Sequence, residues 1–332
     1  MRVLVCGATG FLGSHVVRRL AAREDVEHVV AAGRTRKAVH DVAHDKVEYV
    51  LGDLAEAATV AALFSGAPTH VVNCASLSSP WGRAADFERA NVTTQALLIA
   101  AAEGYGVERY VYISSPSIYA LDGTRLGVRE SDPLPRRYVN HYARTKVAAE
   151  RLLAASALDY VTLRPRDIVG AGDTVIMPRL LRAHDRGRLR VVGSGRNVVD
   201  LTPVRSVVAA VERALAPDLP TEALREAYNV TNGDPVELWP TVNGVLARLG
   251  RPEVTRRIPR WLGLAAAGLA EGRARLTPGQ PEPALTRYGI RVLADSTTLD
   301  IAKARKRLGY APAHSLDEAL DEYVAWHNAR RP

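Results

Sequence analysis

Tyr142 and Lys146 stand four residues apart in Tyr142-Ala-Arg-Thr-Lys146, downstream of an apolar run, Tyr110-Val-Tyr-Ile-Ser-Ser115, that closes on two serines. On a helix, positions i and i+4 share a face, so a phenol and an ammonium at this spacing point into one place. A nearby cation favours phenolate over phenol and lowers the tyrosine pKa. Tyr142 is therefore a candidate proton donor or acceptor, with Lys146 as its tuning cation.

A second constellation opens the chain. Met1-Arg-Val-Leu-Val-Cys-Gly7-Ala-Thr-Gly10-Phe-Leu-Gly13 runs from a strand-like apolar stretch into three glycines, and a helix-patterned segment follows. Glycines at such a turn let the backbone approach a phosphate, whose charge then meets the free N–H groups and positive dipole end of the helix. Gly7, Gly10 and Gly13, with Thr9, Phe11 and Leu12 between them, form a candidate nucleotide-binding turn. In a dinucleotide site an Asp or Glu at the end of the second strand binds the 2′-OH of NAD, whereas an Arg accommodates the 2′-phosphate of NADP. Here the corresponding stretch is Gly33-Arg34-Thr35-Arg36-Lys37, with no acid and three cations. The expected cofactor is NADP(H) in preference to NAD(H), with Arg34 on the phosphate. After the third strand, Asp53-Leu54 offers a carboxylate for an adenine amino group or, equally, a helix N-cap. After the fourth, Asn73, Cys74 and Ala75 are small enough for a ribose and phosphates to pass closely.

These groups need a parallel α/β framework to bring them together. Continuous apolar runs of the kind buried on both faces cover residues 2–6, 28–32, 47–51, 70–74, 110–114 and 160–164, alternating with helical patterns that include 87–103 and 140–155. They predict a Rossmann-type doubly wound parallel sheet over residues 1–165, with its site at the carboxyl ends of the strands and segments near 195–230 returning to it. Past Pro165 the rhythm changes to longer loops and short strand candidates such as 190–192 and 228–230. Residues 166–332 are expected to form mainly a smaller, partly discontinuous substrate lobe. Within it, 261–270 is apolar yet too short to span a bilayer, and reads as a core helix or as a lid over a substrate pocket. A final helix over 316–327 turns Leu316, Leu320 and Tyr323 to the core.

Bulk properties exclude several classes. The chain has 332 residues, 47% of them apolar and 24% charged, without the long apolar run of a spanning helix. Its net charge of +8 is carried mostly by arginines scattered among acids, so no nucleic-acid partner is expected. Met1 runs directly into a strand, which argues against secretion. Cys6 and Cys74, each at the end of a strand candidate, read as buried small hydrophobes in a reducing, cytoplasmic compartment, and their spacing fits no metal site.

Taken together the motifs resemble the extended branch of the short-chain dehydrogenase/reductase superfamily, and the resemblance spans essentially the whole chain. Gly7, Gly10 and Gly13 match its cofactor glycines, Asp53-Leu54 its adenine contact, Asn73-Cys-Ala75 its fourth-strand motif, and Leu163-Arg-Pro165 with Gly170 the strand and loop that pass the nicotinamide. Ser115, Tyr142 and Lys146 match its catalytic residues. The resemblance implies that Tyr142 protonates a carbonyl oxygen as NADPH delivers hydride, or acts as base in reverse. It further implies that Lys146 lowers the tyrosine pKa and holds the ribose hydroxyls, and that Ser115 stabilises the developing charge on the same oxygen. Ser115 is favoured because it lies four residues before Tyr119, which ends the family's Ser-Ser-x-x-Val-Tyr pattern; Ser114 and Ser117 stay in play. A homodimer is the family's usual habit.

Extended members include nucleotide-sugar epimerases and dehydratases as well as ketone reductases. The sugar enzymes usually carry an arginine before the aspartate of the segment corresponding to Val192-Gly-Ser-Gly-Arg-Asn-Val-Val-Asp200, where this chain has Val199; a diphosphate site does not lose its guanidinium lightly. The stretches Met177-Pro-Arg-Leu-Leu, Leu285-Thr-Arg-Tyr-Gly289 and Leu308-Gly-Tyr-Ala-Pro312 look instead like the 3β-hydroxysteroid dehydrogenase group, whose bacterial relatives include reductases of 3-keto groups on long alkyl or polycyclic acids. Arg205 departs from that group by replacing an acid. Arg166 either meets a substrate carboxylate or makes a surface salt bridge. The leading expectation is an NADP(H)-dependent oxidoreductase interconverting a ketone and a secondary alcohol on a hydrophobic substrate. A nucleotide-sugar epimerase or dehydratase is the alternative, and a catalytically silent dinucleotide-binding regulator is a third.

Overall fold

A computed structural model describes residues 1–330. Seven strands form its main sheet: β1 (Arg2–Cys6), β2 (His28–Gly33), β3 (Val47–Leu51), β4 (His70–Asn73), β5 (Arg109–Ile113), β7 (Tyr160–Pro165) and β12 (Glu226–Val230). Their order is β12-β7-β5-β4-β1-β2-β3, and all pairings are parallel. The order reverses between β1 and β4, so a crevice opens at the carboxyl ends of those two strands. Val3, Leu4, Val5 and Cys6 are all at most 1% exposed, because the sheet is covered on both faces.

On one face α1 (Phe11–Ala21) and α7 (Val204–Ala214) pack Val16, Val17, Val207 and Val211 against β1. The other face carries α2 (Ala57–Phe64), α4 (Thr94–Gly104) and α5 (His141–Ala154). The helix expected at 87–103 begins earlier, at α3 (Ala84–Phe87), where Asp86 complements the positive end of the dipole, and passes through a π turn at Glu88–Thr93 before α4. The helix expected at 140–155 is α5, with Asn140 as N-cap accepting from the Ala143 N–H.

The second lobe begins with α6 (Ile176–Asp185) and holds α8 (Leu238–Arg248), α9 (Arg260–Leu276), α10 (Arg287–Ala294) and α11 (Leu316–Asn328). Its core gathers Met177, Leu181, Val199, Trp239, Val245, Ile290 and Tyr323. A four-stranded sheet, β13-β10-β15-β6 (Val236–Glu237, Val198–Val199, Thr297–Leu299, Arg125–Val128), stitches it to a segment preceding α5, and two short pairs, β8 with β11 (Ile168–Val169, Thr202–Pro203) and β9 with β14 (Val191–Val192, Arg257–Ile258), complete the lobe. The strand candidate at 228–230 belongs to the main sheet as β12, beside β7. The segment at 261–270 is no core helix: within α9, Trp261 is 69% exposed and Leu269 79%. Gly263, Ala267 and Ala274 turn inward with the buried Glu271, and Leu264 packs partly on the core, because α10 lies close on that side. No helix among the described residues is long and apolar enough to cross a membrane.

Candidate active site

Tyr142 and Lys146 lie on α5, one turn apart, beside the loop that leaves β5. Ser115 follows that strand in extended conformation and caps a 3-10 turn at Pro116–Tyr119, its oxygen accepting from the Ser117 N–H. The Ser115 and Ser76 hydroxyls lie within hydrogen-bonding reach of the half-buried Tyr142 phenol and pull its pKa down, but burial outweighs them and holds the pKa above its ordinary value. Lys146 is buried, and its Nζ donates to the Ile113 carbonyl at 2.7 Å and lies 4.8 Å over the Tyr112 ring, 5.8 Å from the Tyr142 ring. The sequence expectation of a phenol lowered by its neighbouring cation is thus reversed here: the ammonium is spent on the strand carbonyl, and desolvation decides the phenol. Burial also brings Lys146 down to about 8, against the raising fields of Glu150 and Cys74.

The three candidate serines separate by partner. Ser114 is buried and donates to Glu150, Ser117 is buried and receives the Ser115 hydroxyl at 3.0 Å, and Ser115 remains next to Tyr142. Glu150, one turn beyond Lys146, is gripped by both Arg164 Nε and Nη2. Arg164 also donates to the Tyr119 hydroxyl, which donates to Asn229 on β12. This buried network pins α5 across β5, β7 and β12, and nothing in the sequence spacing marked Glu150 as its centre.

Asn91 is a further residue that sequence reasoning missed. Its Oδ1 accepts from the Ser76 hydroxyl at 3.1 Å and the Leu77 N–H at 2.8 Å, and its Nδ2 donates to Thr145 at 2.9 Å. The π turn at Glu88–Thr93 aims it inward, a distortion that a helical pattern does not announce. Asn91 thereby joins the loop after β4 to α5 and positions Ser76 against Tyr142.

The glycine turn has the geometry of a phosphate cradle. Gly7 has φ +75°, and a Cβ there would come within 2.7 Å of the Ala75 N–H nitrogen. A Cβ on Gly13 would fall 2.2 Å from the Gly7 carbonyl oxygen, so only glycine lets α1 start this close to the turn. Gly10, at the N-cap of α1, provides no side-chain cap, leaving the N–H groups of the first turn, on Phe11, Leu12 and Gly13, free for an anion. Thr9 packs on Gly33, which ties this turn to the end of β2. Arg34 follows there, exposed and without an ion pair among the described residues, while Arg36 is occupied by Asp41 and lies 4.4 Å over the Tyr49 ring. Asp53 accepts from the Ala55 N–H at 3.0 Å and from Arg89 at 2.8 Å. It closes a turn before α2 and does not cap the helix, whose N-cap is Glu56. Leu54 is buried behind it. Asn73 accepts from the Ala75 N–H and donates to Gln95, fixing the loop after β4; Pro165 ends β7 on the same edge. The Cys74 thiol is pushed up to about 12 by burial, with Lys146 opposing, so it is inert at neutral pH.

A cavity of about 40 Å³, open on one side, is lined in part by Ser117, Tyr119, Arg166, Tyr288 and Arg291. Arg166 makes an ion pair, with Asp167, that is largely buried on its own side. Its side chain is 11% exposed, Asp167 stands 3.6 Å away, and its buried Nε has no acceptor. Tyr288 is pushed up to about 12, by burial first, with the charges of Asp167 and Tyr142 raising it further and Arg166 opposing, which places it in the electrostatic reach of both Arg166 and Tyr142. Val199 is 1% exposed on β10, packed in the lobe core where a guanidinium would have no water. Arg205 finds its partner in Glu322 at 2.7 Å.

Comparison with known proteins matches residues 3–230 to the model of the NAD dependent epimerase/dehydratase family. The chain is 31% identical to a 2-alkyl-3-oxoalkanoate reductase of Shewanella oneidensis, covering 97% of this chain and 85% of that protein. It is 32% identical to the 3beta-hydroxysteroid-dehydrogenase/decarboxylase isoform 1 of Arabidopsis thaliana, covering 97% and 78%. Among solved structures, the Bordetella bronchiseptica enzyme WbmH in complex with NAD+ superimposes with a TM-score of 0.78 at 22% identity over 99% of each chain.

Proposed function

The chain belongs to the NAD-dependent epimerase/dehydratase family, as an oxidoreductase of the extended short-chain dehydrogenase/reductase type, and from that premise we propose that it reduces a 3-keto group on a hydrophobic substrate with NADPH. The observation that carries this reading is the Tyr142 phenol set beside the Ser115 hydroxyl and one helical turn from the buried Lys146, whose Nζ lies 5.8 Å from its ring. A protonated phenol is the form a reductase needs, since it gives its proton to the ketone oxygen as that oxygen gains charge. Ser115 donates a hydrogen bond to the same oxygen. Gly7, Thr9, Gly10, Phe11, Leu12 and Gly13 would hold the cofactor's diphosphate, Asp53 and Leu54 its adenine, Asn73, Cys74, Ala75 and Pro165 its nicotinamide half, and Tyr142 and Lys146 the ribose beside it. When bound, the nicotinamide supplies the hydride.

The substrate class rests on two supports. Val199 stands where a sugar-nucleotide enzyme would place a diphosphate-binding arginine, and the similar proteins named above act, by their names, on 3-oxoalkanoates and 3β-hydroxysteroids. Purified protein should consume NADPH stoichiometrically with a 2-alkyl-3-oxo acid or a 3-keto steroid acid. Turnover of a UDP- or dTDP-sugar without loss of NADPH absorbance would sink the reading in favour of an epimerase or dehydratase.

Two residues refine it. Arg34, exposed and without an ion pair among the described residues, is the cation this reading assigns to a 2′-phosphate, so Arg34→Ala should raise the Kd of NADPH by about tenfold or more, the worth of one charge-assisted contact, and leave NADH within about twofold. Equal losses for both would remove the assignment. Arg166 lines the cavity, with a buried Nε that has no acceptor and part of its charge balanced by Asp167 and Asp200, which supports reading it as the partner of a substrate carboxylate. Arg166→Leu should raise KM about tenfold for a 3-oxo acid but not for its methyl ester. A KM that rises alike for acid and ester would make Arg166 structural.

A further inference from the structure

We propose that the outward face of α9 docks on an anionic lipid surface, so that the protein works at a membrane boundary without crossing it. A surface helix ordinarily buries one apolar stripe and shows water a polar one. α9 does not. Leu262, Leu269 and Leu276 recur every seventh residue, so they drift by only ~20° per step and form one line. They are 45%, 79% and 89% exposed. At about 100° per residue, Trp261, Ala265 and Ala266 flank that line, and Arg273 is the single charge within it. The opposite face, with Gly263, Ala267 and Ala274, is the one that packs inward.

Charge selects the partner. Residues 251–291 hold eight arginines and three glutamates, giving this segment five of the chain's eight net positive charges. Arg256, Arg257, Arg273 and Arg287 are exposed and make no ion pair among the described residues. Apolar Leu and Trp on one helix face, with Arg273 beside them and further unpaired arginines in the same segment, is the pattern of an interfacial helix on anionic lipid. A second copy of the chain would have to bury the same arginines against each other.

Position gives the surface a use. α9 packs on α10 through Gly263 against Ile290, and α10 carries Tyr288 and Arg291 on the cavity. At its other end, Arg275 lies 5.4 Å over the Trp81 ring, whose Nε1 donates to the Gln280 carbonyl. The helix therefore roofs the substrate side of the molecule, with its apolar line outward. The inference concerns the surface alone and stands apart from the reaction proposed above.

The full chain should co-sediment with mixed phosphatidylglycerol–phosphatidylcholine vesicles, bind pure phosphatidylcholine weakly, and be partly released by salt. The L262Q/L269Q/L276Q variant should lose at least about tenfold in vesicle partitioning. Its NADPH oxidation with a soluble ketone should be unchanged. Leu269→Glu, at a position already 79% exposed, serves as the variant least able to disturb the fold and should also lose binding. Absence of binding to the anionic vesicles, or equal binding by the variants, would overturn the proposal. So would a wild-type dimer that becomes a monomer in the triple variant by light scattering, since the stripe would then be a contact between copies.

Discussion

Tyr142→Phe should lower kcat for ketone reduction by about 10²–10⁴-fold, the usual contribution of a positioned general acid, while the Kd of NADPH stays within a few-fold. The ring is half-buried against α5 and its surroundings, and Phe keeps that packing. What disappears is the hydroxyl that Ser115 and Ser76 hold, and with it the proton that must reach the substrate oxygen. Because burial keeps the wild-type phenol above its ordinary pKa, Tyr142 itself should retain the donor form throughout the neutral range, so a decline in reductive rate that sets in near pH 8 should report loss of the Lys146 ammonium and not of the Tyr142 proton. Steady-state kinetics together with fluorescence titration of NADPH separate the two effects. An active Phe variant refutes the assignment, and a loss of turnover matched by a loss of cofactor affinity shows a packing defect instead. Ser115→Ala should give a smaller loss of the same kind, since it removes one hydrogen bond to the oxygen and leaves the proton donor in place.

Much of this arrangement is legible in the residues themselves, because it rests on local rules. The glycine spacing Gly7, Gly10, Gly13 dictates a turn that only glycines can make, and the i, i+4 spacing of Tyr142 and Lys146 dictates a shared helix face; both survive intact in the fold. The six apolar runs lie in six parallel strands because a sheet covered on both faces needs them apolar throughout. What the residues did not disclose depends on long-range contacts. Glu150 looks like an ordinary helical acid until Arg164, from the next strand, and Ser114, from the previous one, close on it. Asn91 points at Ser76 only because the helix widens into a π turn. The sign of the Tyr142 shift was misjudged for the same reason: spacing gives the nearness of a cation but not the carbonyl of Ile113 that occupies it, nor the depth of the phenol. For the 261–270 segment the residues left core helix and lid both open, since apolar composition alone does not separate a core helix from one whose leucines face outward; the exposed leucines exclude the first.

Lys146→Met separates the two duties of the buried ammonium. Turnover should fall by about 10²-fold or more, since the cation that favours the developing charge beside Tyr142 is gone. Stability should not fall with it. Met fills nearly the same volume and removes a charge that is 2% exposed and hydrogen-bonded to a single carbonyl, Ile113 O; such a charge costs desolvation that an apolar side chain does not. The pH dependence distinguishes this from simple damage. In the unliganded protein Lys146 titrates near 8 against 10.5 when unfolded, so between those values the unfolded chain binds a proton that the native state has released. Stability must then rise with pH across that window, by at most ~3 kcal/mol for this group. The Met variant has no such proton to release, so its denaturation midpoint should lack that rise and match or exceed wild type below pH 8. A variant that loses activity and stability together at pH 7, with the alkaline rise still present, would show that Lys146 is a structural tie to Ile113 whose charge does no work on Tyr142.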